Sequence, residues 1–228
     1  MILLLRKIIF IFITYKFISK RNLFFSDLNF KKIDFTNYHQ IKTFIFKEKF
    51  YTLKNKNVHS FDFLNFSNKL GGKIGISLSK DSIFNWFKIN KNKINFPWTG
   101  ELTSKRFINL LYNYEYINSS SKKNERKNLE LIIFFHLQRI LFDFNLKKIS
   151  EITSYDIKAY LLSLLIINKL NDKKINYIKF IIENKIDKLG MHKSYNLLEH
   201  SKFINNLNEI KNILLFYKVN KSNLLDDT

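Results

Sequence analysis

The chain has 228 residues, with 39 Lys and Arg against 19 Asp and Glu, a formal net charge of +20. Hydrophobic residues make up 46% and aromatics 16%, with 24 Phe, which is enough apolar material to exclude wholesale disorder. Zero Cys excludes disulfide frameworks, thiolate zinc sites, iron–sulfur clusters and cysteine nucleophiles, and one Pro with 5 Gly is too little turn material for a β-sandwich or barrel.

The charge has two readings. Lys, Asn, Ile and Phe are in excess along the whole chain, as in Lys54-Asn55-Lys56-Asn57 and Lys91-Asn92-Lys93. That pattern matches the codon bias of an AT-rich bacterial genome, which raises the charge without selection for a polyanion. A basic surface still attracts nucleic acid, anionic lipid or acidic polysaccharide, whatever its origin. Nucleic-acid binders usually cluster Lys and Arg beside stacking aromatics. Here Lys is spread and Arg is scarce.

In chain order, residues 2–19 read as a helix. Arg6 and Lys7 interrupt the apolar run, and no small-residue cleavage site follows it. Ile8–Ile13 falls far short of the ~20 residues that span a bilayer. A buried or amphipathic helix is expected, with membrane association through residues 1–19 as the alternative. With no signal peptide of the usual form, a cytoplasmic or periplasmic location is expected. Residues 22–40 read as irregular, and Thr43–Phe46 with Phe50–Leu53 as a small β-hairpin.

Ser60 is expected to cap a helix to Leu70, closed by Gly71-Gly72. A helix over Leu78–Ile89 follows, then a break at Pro97-Trp98, then a periodic stretch over Glu101–Ile117. Further helices are expected at Asn128–Phe144, Thr153–Leu170, Lys173–Ile186 and Leu197–Tyr217. Thr153 or Ser154 is the expected cap of the second of these. Linkers of three to eight residues imply antiparallel neighbours. Units of 35–45 residues resemble the spacing of stacked helical hairpins. The expected class is all-α, with an N-terminal segment over 1–58 and a helical-hairpin domain over 59–228.

Gly71-Gly72-x-x-Gly75 has neither a strand before it nor an acidic residue after it, so a turn is expected rather than a nucleotide site. His39, His59 and His136 read as structural or exposed residues. Two stretches stand out. Trp98 to Leu111 holds Arg106 and Asn109 three apart, on one helix face. They are either a structural polar pair or a carboxylate clamp. Gly190-Met191-His192-Lys193-Ser194-Tyr195-Asn196, followed by His200, is either a hydrogen-bonded loop or a site with a histidine acid, base or metal ligand.

Together these stretches resemble the helical part of the heparinase II/III-like polysaccharide lyases. Phe61-Asp62-Phe63-Leu64 resembles the segment that opens the family's helical array. Trp98–Leu111 resembles its Trp, then Arg-x-x-Asn stretch, and Gly190–Ser194 with His200 resembles its Gly-x-His-x-Ser/Glu loop. The resemblance implies an incomplete α/α toroid of antiparallel hairpins, in a family that pairs the toroid with a C-terminal β-sandwich. It implies β-elimination on uronate-containing glycans, with stabilisation of a developing enolate-like charge. Catalytic roles would fall to His192, Asn109 and His200. Substrate contacts would fall to Arg106, Ser194, Tyr195, Asn196 and Trp98. No cofactor or metal is implied. An acidic polysaccharide is the expected partner, together with a separate C-terminal β-sandwich chain. Tyr195 and Leu197 stand where the family has Arg and Pro. With the rest of the toroid absent, little or no activity is expected of the 228 residues alone. The alternative is a non-enzymatic basic helical protein binding nucleic acid or an anionic membrane surface.

Overall fold

The computed structural model describes residues 56–216. The expected helix over 2–19, the hairpin near 43–53 and His39 lie outside them. The described residues are mostly helical, and the one piece of β pairing among them is an isolated antiparallel bridge between Ile186 and His192. The chain divides into two compact units between Arg139 and Ile140.

The first unit contains α1 (Lys56–His59), α2 (Phe63–Leu70), α3 (Gly72–Asn90), α4 (Leu102–Tyr112), α5 (Tyr114–Asn118) and most of α6 (Lys123–Phe144). Gly71 and Gly72, at φ 66° and 73°, turn the chain between α2 and α3. These are left-handed values that side-chain-bearing residues adopt at a cost. Helix α3 begins six residues earlier than the apolar pattern predicts. Packing explains the difference, because α3 lies against α2 and α5. Gly75 leaves room there for the Tyr116 hydroxyl, which donates to the Ser67 carbonyl at 2.7 Å. The expected continuous helix over 101–117 is broken at Asn113 (φ −103°, ψ 9°). Asn113 Nδ2 bonds the Asn109 carbonyl and Asn65 Oδ1, and Asn68 Nδ2 donates to Asn113 Oδ1. Side-chain bonds to nearby backbone compete with the helical ladder in this way.

The second unit contains the end of α6, a short 3₁₀ turn at Ile149–Glu151, α7 (Ser154–Ile166), α8 (Asp172–Lys185) and α9 (Leu197–Phe216). Thr153 caps α7 as expected, and it does so reciprocally with Asp156 in a capping box. Helix α7 ends at Ile166 rather than Leu170. Asn168 is left-handed there, and the Lys169 N–H returns to the Leu164 carbonyl. Helix α7 packs against α9, and α7 buries Ile157, Leu161 and Leu164 while α9 buries Phe203, Leu207, Ile210 and Leu214. The last four recur at helical spacing and form one buried stripe. Inside this packing, Lys158 pairs with Glu209, and Asn206 donates to Ser154 Oγ at 2.9 Å.

Candidate functional site

The candidate residues fall into two groups, one in each unit. In the first, Trp98, Arg106 and Asn109 are 1%, 0% and 7% exposed. The Arg106 guanidinium carbon lies 4.0 Å from the Trp86 ring centroid and 4.5 Å from that of Trp98, with Phe61 at 5.7 Å. Its Nε donates to His136 Nε2 at 2.7 Å, and its Nη1 to the carbonyls of His59 and Pro97. Nη2 has no acceptor among the described residues. Arg139 flanks Trp98 on the same cluster, 4.7 Å from its ring, and donates to the carbonyls of Lys93 and Ile94. Burial and the neighbouring Arg139 charge push the Arg106 pKa well down.

His136 completes this core. Its Nδ1 faces the Ile132 carbonyl at 2.7 Å, an atom that only accepts, so Nδ1 carries the proton and Nε2 is the bare acceptor for Arg106. Burial, then the Arg106 and Arg139 charges, hold His136 well below the ordinary histidine range against the bond to Ile132. His59, also buried, accepts from Trp86 Nε1 at 2.8 Å.

Asn109 ties the entry of α2 to α4. Its Nδ2 donates to the Ser60 carbonyl and to Asp62 Oδ1, each at 2.9 Å, while its Oδ1 accepts from Asn65. The resemblance gives Asn109 a catalytic role and Arg106 a substrate contact. The structure instead encloses both, with Arg106 packed against indole rings and backbone carbonyls. A clamp on a substrate carboxylate needs a solvent-facing guanidinium, and Arg106 has no exposed surface. Sequence reasoning did not identify Phe61, Trp86, His136 and Arg139 as its companions. They come from three separate segments, with only His136 and Arg139 sharing a helix, and no local spacing links them to Arg106.

The second group is one connection between α8 and α9. Asp187 Oδ1 accepts the N–H groups of Leu189 and Met191, each at 2.9 Å, which fixes the turn through Gly190. The Met191 and Leu189 donors, then a bond from the Tyr195 side chain and the Lys193 charge, draw the Asp187 carboxyl below its usual value. The Ile186–His192 bridge and the Lys193 N–H to the Lys185 carbonyl close the turn. His192 Nδ1 then takes two Ser194 donors, the hydroxyl at 2.8 Å and the N–H at 3.2 Å. The His192 ring also packs against Phe203 of α9, at 5.1 Å between centroids.

Burial and the Lys185 charge lower the His192 pKa against an opposing pull from Glu199. His200 Nδ1 accepts the His192 N–H at 3.2 Å. Asn196 Oδ1 accepts the N–H groups of Leu198 and Glu199, the standard work of a helix N-cap. Tyr195 is left-handed at φ 50° and 71% exposed.

The structure thus brings His192, Ser194, Asn196 and His200 into one bonded loop and gives each of them a structural duty. His192 presents Nδ1 as an acceptor to a serine hydroxyl, but that serine also accepts the Asn196 N–H in the same turn. No cluster of three or more His, Cys, Asp or Glu side chains that would hold a metal occurs among the described residues. The Asp187 turn was open to sequence reading as an Asp three residues before a Gly. Comparison with family models, with curated proteins and with solved structures found no match to this chain.

Proposed function

We propose that this chain is a non-enzymatic basic helical protein that binds nucleic acid. One observation carries the reading. The side chains with the best catalytic chemistry are committed to the core and to a helix cap, while Lys residues in both units face solvent. Lys88, Lys93, Lys123 and Lys127 are exposed in the first unit, and Lys173, Lys188 and Lys193 in the second. With a formal net charge of +20, this surface suits a phosphate backbone more than a small substrate.

Fluorescence anisotropy of labelled duplex DNA, single-stranded DNA and RNA against the full chain tests this. Tight binding at low salt is expected, weakening steeply as salt rises. No binding to any of the three at low salt overturns the proposal.

A second reading keeps the lyase lineage, with the helices as part of an α/α toroid and an acidic glycan as the polyanion. It is favoured by the surface access of Ser194, Tyr195 and Asn196 beside half-exposed His192 and His200 on one loop. Its expected result is little or no unsaturated-uronate absorbance from alginate, heparin-like or chondroitin-like polymers. Robust turnover by the 228 residues that falls ~10²-fold in His192→Ala would establish His192 as an acid–base group and displace the nucleic-acid reading.

A further inference from the structure

The exposed leucines of a patch in the second unit are left unexplained by either reading. Leu189, Tyr195, Leu197 and Leu198 are 86%, 71%, 76% and 63% exposed, whereas most of the other leucines among the described residues are buried. From residue 188 to 199, every residue is exposed except Met191 and His192, which are half-buried.

The segment is a built tip rather than a loose loop. Asp187 pins the turn that carries Leu189. The bond from His192 N–H to His200 Nδ1 and the contact of His192 with Phe203 tie that turn to α9. Asn196 caps the helix whose first two residues are Leu197 and Leu198. The backbone that carries these aliphatic side chains is therefore ordered before binding, which lowers the ordering cost of docking.

The charges around the tip indicate what covers it. The Asp187 carboxylate accepts two backbone N–H groups, and Glu199 pairs with Lys202 at 2.7 Å. Lys188 and Lys193 face solvent between the apolar positions. Exposed aliphatic residues, a tyrosine at their edge and flanking lysines form the combination that seats in the interface of an anionic bilayer. There the aliphatic chains enter the acyl boundary, the phenol sits at headgroup depth and the ammonium groups meet lipid phosphates. Nucleic acid offers phosphates but no apolar phase for three leucines. The geometry points to a peripheral membrane contact made by residues 188–198, with anionic phospholipid headgroups as the recognised chemistry. This inference is independent of the nucleic-acid reading.

The test uses the full chain carrying Tyr195→Trp. Trp86 and Trp98 are each 1% exposed, so a change in emission on adding vesicles reports on position 195. Vesicles of phosphatidylglycerol with phosphatidylcholine should shift that emission to the blue, and phosphatidylcholine alone should not. Co-sedimentation with the mixed vesicles should weaken about tenfold or more in Leu197→Ser/Leu198→Ser, whose exposed positions leave the helix content by circular dichroism unchanged. Emission at position 195 that no vesicle moves overturns the proposal. So does vesicle binding that the double variant does not weaken, since another segment then makes the contact. A blue shift produced by single-stranded DNA and not by vesicles assigns the tip to nucleic acid and overturns the membrane contact.

Discussion

Arg106 is a cation sealed among three aromatic rings, with neutral hydrogen-bond acceptors around it. One of those acceptors is an imidazole, so His136 must stay neutral in the folded protein, and this has a consequence for pH. The folded pKa of His136 lies well below the ordinary 6.5, mainly through burial. Above pH 6.5 neither state protonates the ring and its full contribution to stability is present. Below 6.5 the unfolded chain binds a proton that the folded protein refuses. Stability then falls by about 1.4 kcal/mol per pH unit until the folded pKa is reached. His192, whose pKa is lowered by burial and Lys185, adds to the loss in the same direction. Urea unfolding at a series of pH values from 7.5 to 5 should show this decline. It should be shallower in His136→Gln, whose amide oxygen still accepts from Arg106. Equal slopes in the two proteins would remove His136 as its source. The same core shows where sequence reading stops. A three-residue spacing puts Arg106 and Asn109 on one helix face, but whether that face meets solvent or an indole ring is decided by Trp86 and His136, 20 and 30 positions away.

Helices were legible where local chemistry and packing agree. Thr153 and Asp156 supply a complete capping box, and α7 starts where that box places it. The span of α8 follows from its amphipathic pattern, and α9 starts at Leu197 where Asn196 caps it. Legibility failed where a long-range contact overrides propensity. Glycine at 72 and 75 argues against helix, yet α3 runs through both. A Cβ at position 75 would lie 2.6 Å from the Tyr116 hydroxyl and 3.2 Å from the Ser67 carbonyl oxygen. Gly75→Ala should therefore destabilise the protein by ~1–3 kcal/mol, because overpacking outweighs the gain of up to ~1 kcal/mol in helix propensity. Tyr116→Phe removes the closest oxygen, at the expense of its bond to Ser67. In that background the alanine should cost less than in the wild type, a coupling that a double-mutant cycle from thermal or urea unfolding reads directly. Additive effects would show that the hydroxyl is not what excludes a side chain there.

At the scale of the whole molecule the open question is whether +20 is a by-product of composition or a surface with a purpose. Residues 1–55 carry eleven Lys and Arg against three acids, residues 56–139 fourteen against six, and residues 140–216 twelve against eight. The excess thus thins toward the C-terminal unit. There Lys147 and Lys158 are also absorbed by Asp156 and Glu209. Salt dependence separates the two origins, because each phosphate neutralised at a defined interface releases counterions. The slope of log K against log salt steepens by about 0.9 for each contact on duplex DNA. Lys88, Lys93 and Lys127 changed together to Gln remove three exposed charges from the first unit. Lys173, Lys188 and Lys193 changed together remove three from the second. If the charge serves a binding face, the triple variant in the unit that holds it should flatten the slope by about three, and the other triple variant should leave it near that of the wild type. If composition alone set the charge, attraction is spread over the surface, and the two variants weaken binding equally and slightly. The first outcome is expected, with the larger effect in residues 56–139, where the excess is greater and fewer lysines are tied down by acids.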